Sequence, residues 1–210
     1  MTTPTAKTQR RRDTPERALA VAANLFAAKG YNATTTREIS EALQITNGTF
    51  YHHFESKEQL LYSICLAALE ELTRTVNAEL REATDPLNAL QRLVRAHLAV
   101  VSASREAHVT MLTELRALGG ERRERIVSAR DDYEREVEEV IVAAISAGIL
   151  NPAVPARRLT LYLLSMMNWT IFWLRPDGGV PAIQIADEML TVLLDGASNG
   201  SPVRSGLTPT

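Results

Sequence analysis

The chain has 210 residues, 45% of them apolar, which is enough to bury a core and too many for a disordered protein. Its formal net charge of −2 hides a skew: residues 1–60 hold eight Lys/Arg against six Asp/Glu, while the remaining 150 hold fifteen against nineteen. A single cysteine, Cys65, rules out an internal disulfide and a cysteine zinc cluster, and implies a reducing, cytoplasmic compartment.

The first twelve residues are polar and basic with no apolar run behind them, unlike a signal peptide. They read as an arm, residues 1–12, able either to reach a minor groove or to remain solvated. Thr14 is placed as an N-cap with Pro15 at the first helical position, Ala18, Leu19, Ala22, Leu25 and Phe26 form one apolar stripe, and Gly30 stops the helix. "TREISEAL" opens with a capping box, Thr35-x-x-Glu38, and directs Ile39, Ala42 and Leu43 inward. A short helix from Asn47 to about His53 follows, capped by Thr46, and a second box, Ser56-x-x-Gln59, starts a long helix to about residue 80.

Asp85-Pro86 begins the next helix, to about Ser102, and another covers roughly 105–118 before Gly119-Gly120. Residues 121–148 predict a long amphipathic helix with Ile126, Tyr133, Val137, Val140, Ile141 and Ala144 on one face and solvated charge on the other. Two last helices, about 155–175 and 181–195, are joined by "RPDGGVP". The uncharged stretch 159–174 is shorter than the ~20 apolar residues needed to span a bilayer and contains Asn168, so it reads as a buried helix rather than a membrane span. Strand alternation is nearly absent. The expected fold is all-α, with about nine helices and a tail at 197–210.

Residues 14–54 have the build of a helix-turn-helix: one helix, then two short ones separated by about three residues. "TNGTFYHHFESKEQLL" concentrates rings and hydroxyls that could form a metal site, a piece of core, or a surface for nucleic acid. Adjacent histidines point about 100° apart on a helix, a poor start for a metal site. A core accounts for Phe50 and Phe54 but leaves Tyr51, His52 and His53 without a purpose. Nucleic acid accounts for more of the residues. Thr36 and Thr46 lie at helix N-termini, where hydroxyls and free N–H groups suit a phosphate. Tyr51, His52 and His53 add donors, Lys57 adds a charge, and Gly48 lets the helix approach base edges closely.

These residues resemble a known family. "YNATTTREISEALQITNGTFYHHFESKEQLL" is similar to the DNA-binding segment of the TetR (tetracycline-repressor) family of bacterial transcriptional regulators, over about residues 13–62. The resemblance implies a homodimer on a roughly palindromic double-stranded operator, with a DNA-binding domain at 13–60 and a ligand-binding and dimerisation domain at 61–196. By position, phosphate contacts fall on Thr36, Tyr51, His52 or His53, and Lys57, with Arg37 joining the DNA-binding set. Base reading falls on Thr46, Asn47, Gly48 and Thr49. Gln44 departs from the family, where glycine is common in the turn. "MNWTIFWLRPDGG" and "IADEMLTVLLDG" resemble a TetR subgroup that senses coenzyme A thioesters in fatty-acid or steroid breakdown.

Physically, the last two helices carry more apolar surface than one small domain covers, which suits a four-helix interface between two chains. His97, Met111, Leu115, Tyr133, Met167 and Trp169 are candidate pocket residues, each also an ordinary core residue type. The expected function is a ligand-released repressor with no cofactor or metal and no membrane partner. Alternatives are a DNA-binding dimer without effector and a small helical enzyme, although no catalytic grouping is apparent.

Overall fold

The computed structural model describes residues 6–174 and 178–195, with side chains from residue 15 onward. Among these residues every regular element is helical: α1 Ala6–Lys29, α2 Thr36–Leu43, α3 Asn47–His53, α4 Lys57–Arg81, α5 Pro86–Ala103, α6 Arg105–Glu114, α7 Gly120–Ser146, α8 Ala156–Trp169 and α9 Ala182–Asp195, with 3₁₀ turns at Leu115–Ala117 and Thr170–Phe172.

Local chemistry sets most of the boundaries. The Thr35 hydroxyl accepts from Glu38 N–H, and Glu38 Oε2 accepts from Thr35 N–H at 2.7 Å, so the box is reciprocal. Ser56 caps α4 by accepting from Gln59 N–H at 3.0 Å, but the reverse bond is not made and Gln59 Oε1 is buried without a partner. Gly30 closes α1 with φ +85° and an N–H bond to Phe26 O.

The start of α1 departs from expectation. The helix begins at Ala6 instead of being capped at Thr14, and Pro15 lies inside it. Ala, Lys, Gln and Arg before the proline are good helix formers, so the helix extends past the residue whose missing N–H forfeits one bond. The stretch expected as an arm therefore enters the helix from residue 6, and residues 1–5 lie outside the described set, as do 196–210. The C-terminal end of α8 also differs. Thr170, fully buried, donates its hydroxyl to Met167 O at 2.6 Å, and the α-helix tightens into a 3₁₀ turn instead of running to residue 175.

The turn between α2 and α3 spans residues 44–46. Gln44 stands there at φ 58°, ψ 41°, alone among the described non-glycine residues in having positive φ. The left-handed region costs an L-residue about 1–2 kcal/mol. Here it lets the Gln44 N–H reach the Glu41 and Ser40 carbonyls while Ile45 N–H closes on Ser40 O.

Helix α4 is the shared wall of the molecule. Its residues Leu60, Leu61, Ile64, Cys65, Ala68, Leu69, Leu72 and Val76 are buried, and it packs against α1, α5, α6 and α7. Each large side chain fully removed from water contributes about 1.5–3 kcal/mol. Helix α1 also packs on α2 and α6, and α5 packs on α9. No helix of the described residues is long and apolar enough to cross a membrane.

Candidate nucleic-acid interface and effector cavity

Phe50 and Phe54, one helical turn apart, are both buried and anchor α3. That orientation exposes the other sides of the helix, including Asn47, Gly48, Tyr51 and His52. Tyr51 is 54% exposed and its hydroxyl lies 3.3 Å from Thr36 Oγ1, so the first turn of α2 and the side of α3 present hydroxyls together. Arg37 is exposed beside them and pairs with Glu41 at 2.8 Å. Thr46 caps α3, accepting from Thr49 N–H, with the two threonine hydroxyls 2.9 Å apart. His52 and His53 stand side by side, and among the described residues no group of three or more His, Cys, Asp or Glu could hold a metal.

Two base-reading candidates carry information that the sequence did not. Asn47 Oδ1 lies 2.9 Å from Ser40 Oγ, whose single hydroxyl hydrogen also has the Thr36 carbonyl at 2.8 Å, so the Asn47 side-chain amide is held against α2 at one end and open at the other. Gly48 has ordinary helical backbone, and a Cβ there would meet only Thr46 Oγ1, at 3.7 Å. Nothing in the fold demands glycine, although glycine weakens a helix by about 0.8–1.0 kcal/mol relative to alanine.

Lys57 is placed differently from a simple phosphate hand. Its Nζ donates to Thr34 O at 2.7 Å and Tyr31 O at 2.8 Å and sits 4.1 Å above the Tyr31 ring. Two of its three donors thus tie the α1–α2 loop to α4. Burial pulls its pKa down, with Glu38 opposing. Glu38 itself is held near 2, first by its bond from Lys29, then by the Thr35 backbone and hydroxyl.

A cavity of about 230 Å³ lies among α4, α5, α6, α7 and α8, lined by Leu69, Leu72, His97, Met111, Leu112, Val127, Arg130, Asp131, Tyr133, Glu134, Leu164 and Asn168. An outer groove bordered by Leu161, Trp169 and Phe172 shares Leu112, Arg130, Glu134, Leu164 and Asn168 with it. Of the candidate pocket residues, His97, Met111 and Tyr133 line the cavity and Trp169 lines the groove. Leu115 and Met167 line neither. Leu115 has left the helical path of α6 in a 3₁₀ turn, and Met167 is fully buried core, one residue before Asn168, which faces the cavity about 100° around α8. The charged lining residues Arg130, Asp131 and Glu134 sat in a run read as solvated charge. Their role depends on how α7 lies against α8, which no local pattern encodes.

Inside the cavity wall, His97 Nδ1 and Tyr133 OH are 2.8 Å apart. Burial pushes the His97 pKa down to about 3, with His108 adding to the shift and Asn168 opposing it. The ring is therefore neutral at ordinary pH. Cys65 is buried, which pushes its thiol up to about 12.

Residues 18–64 match the family described as Bacterial regulatory proteins, tetR family, and residues 83–197 match Tetracyclin repressor-like, C-terminal domain. The chain belongs to the TetR family. It is thus a DNA-binding transcriptional regulator, not an enzyme. This TetR-family chain is 29% identical to the HTH-type transcriptional repressor KstR2 of Rhodococcus jostii over 86% of its length and 89% of that protein's. Among solved structures it resembles the TetR family regulator PfmR from Thermus thermophilus, with TM-score 0.81, 35% identity, and 87% and 99% of the two chains covered. It also resembles AibR in complex with isovaleryl coenzyme A and operator DNA, with TM-score 0.78, 29% identity, and 86% and 98% covered.

Proposed function

We propose that the chain is a homodimeric repressor that leaves a palindromic operator when an acyl-coenzyme A thioester enters the cavity. The observation that carries this reading is a tie between the cavity-lining helix α7 and the start of α4, at the base of the helix-turn-helix. Helix α7 lines the cavity with Val127, Arg130, Tyr133 and Glu134. At its start, Gly119 N–H donates to Glu58 Oε1 at 3.1 Å, and Arg122 lies 3.5 Å from Glu58 and 3.6 Å from Glu55. Glu58 adjoins Lys57, the residue that ties α4 to the loop before α2. A shift of α7 or α4 on ligand binding thus acts at the base of the helix-turn-helix. Thr110, donating to Ala23 O at 3.2 Å, gives α6 a second grip on α1.

The ligand class rests on the bound coenzyme A thioester in the related AibR and on the cavity's shape. At about 30 Å³ per water, the space holds roughly eight water-sized groups, a compact acyl group. Dimerisation is supported by Leu161, Tyr162, Trp169, Phe172, Ile183 and Val192, all exposed on the last two α-helices and the turn between them.

The test is reciprocal titration. Thioesters of graded chain length are measured against the protein with and without operator, and a coupling of about 1–3 kcal/mol is expected. Equal affinities in the two states sink the switch for that ligand. Operator binding by a dimer that no thioester, free acid or other small molecule perturbs makes it an effector-free DNA-binding dimer instead.

A further inference from the structure

The cavity has one polar defect. His97 is fully buried, and its Nε2 has no hydrogen-bond partner among the described residues. Its Nδ1 is taken by Tyr133 OH. Asn168 lines the same cavity and its side chain bears on the charge of His97 as a hydrogen-bond acceptor would, but it stands outside hydrogen-bond geometry to Nε2. An unpaired buried polar atom is costly, and such atoms are rare in folded proteins. His108 Nε2 is orphaned too, but His108 does not line the cavity.

The hydrogen between the two rings decides what His97 offers. If Nδ1–H donated to the tyrosine oxygen, the phenol hydrogen and Nε2 would both lack a partner. If Tyr133 O–H donates to Nδ1, only the Nε2–H is left over. The second arrangement leaves one unsatisfied group instead of two, and it makes His97 a neutral donor on the cavity wall.

We infer that His97 is the polar recognition point of the effector site, its Nε2–H donating to a carbonyl or hydroxyl oxygen of the ligand, with Tyr133 as the positioning residue that holds the tautomer. This deepens the effector reading above and rests on it. A neutral ring donates one hydrogen bond and brings no charge, so an uncharged carbonyl or hydroxyl oxygen matches it without drawing on Arg130 of the same lining. The oxygen is either that of the thioester or one carried further along the acyl chain. A saturated hydrocarbon at this point leaves the donor unpaired.

Three probes separate the two sources: hexanoyl-coenzyme A, its thioether counterpart hexyl-coenzyme A, and β-oxohexanoyl-coenzyme A, measured by calorimetry on the full chain. Preference for hexanoyl over hexyl assigns the thioester oxygen, and preference for β-oxohexanoyl over both assigns the chain oxygen. Either preference is expected to be about tenfold, the worth of one buried neutral hydrogen bond, and to vanish in His97→Leu. Equal binding of all three, or a preference that survives His97→Leu, overturns the inference.

The ring can also be read without a variant. Nitrogen-resolved NMR of the wild-type histidines should show His97 protonated at Nε2, and that proton should move on adding cyclohexanone but not cyclohexane. A hydrogen on Nδ1 instead overturns the assignment. If no coenzyme A derivative binds but cyclohexanone engages His97, the site stands and the thioester reading falls. If neither ketone nor thioester engages it, the inference falls.

Discussion

Lys57 Nζ donates to the Thr34 carbonyl at 2.7 Å, across the gap between the start of α4 and the loop that launches α2. With the second bond to Tyr31 O and the ring beneath, this ammonium sets where the helix-turn-helix sits on α4. Lys57→Ala should therefore lower stability by about 1.5–3 kcal/mol, as expected for hydrogen bonds from a charged group. The loss of salt slope in operator gel shifts should be smaller than the roughly 0.9 per direct phosphate contact. Unchanged thermal stability with a full unit lost from the slope would show that Lys57 works mainly on the DNA.

Gly48→Ala should separate folding from binding. The added Cβ meets nothing closer than 3.7 Å, so denaturant unfolding should show a gain of about 0.5–1 kcal/mol. If Gly48 is where α3 approaches the bases, operator affinity should fall tenfold or more while nonspecific binding holds. An alanine variant that binds operator as well as the parent removes Gly48 from the interface.

Ser40 should fix the Asn47 amide. The carboxamide contacts the Ser40 hydroxyl, which also reaches the Thr36 carbonyl, so Ser40→Ala frees the amide to rotate and should broaden base preference at one operator position by about 1 kcal/mol or more. Selection from a randomised operator library measures this directly, and an unchanged preference refutes the lock.

Stability should decline on acidification in two windows. Burial disfavours the charged rings of His97 and His108 and pushes both pKa values below the ordinary 6.5, so protons bind preferentially to the unfolded chain. Their contribution is complete above pH 6.5 and is lost as pH falls toward about 3 for His97. Glu38, held near 2 against an ordinary 4.5, adds a loss below pH 4.5. Glu136, pushed up by burial, works in the opposite direction. Melting temperatures of wild type and His97→Leu should thus diverge below pH 6.5, with the variant showing the shallower fall. Parallel curves would mean that His97 is not buried as a neutral ring.

Two charges on the last helices should behave differently. Leu161 is 40% exposed in the protomer, so Leu161→Asp should leave it folded, dissociate the proposed dimer in sedimentation at micromolar concentration, and abolish operator binding. Leu193 packs partly into the protomer's own core, so Leu193→Asp should lower stability as well. A folded, dimeric Leu161→Asp protein places the interface elsewhere.

What the sequence determined by itself was most of what depends on residues three or four apart, although Ala42, read as inward, is exposed and the Ser56–Gln59 box closes on one side only. The Thr35–Glu38 box, the Gly30 stop, the inward Phe50 and Phe54, and the helical spans around them follow from backbone geometry that each segment carries locally. Pro15 misled because its preference for a first turn is mild beside the helix-forming residues before it. Tertiary structure decided where side chains point between elements. It turned Lys57 toward Thr34, set the Asn47 amide against Ser40, and brought Asn168 rather than Met167 to the cavity. It also joined His97 to Tyr133 across 36 residues. Such pairings depend on how whole helices cross and rotate against one another. A turn of about 100° exchanges one residue for its neighbour, and no short stretch of sequence carries that angle.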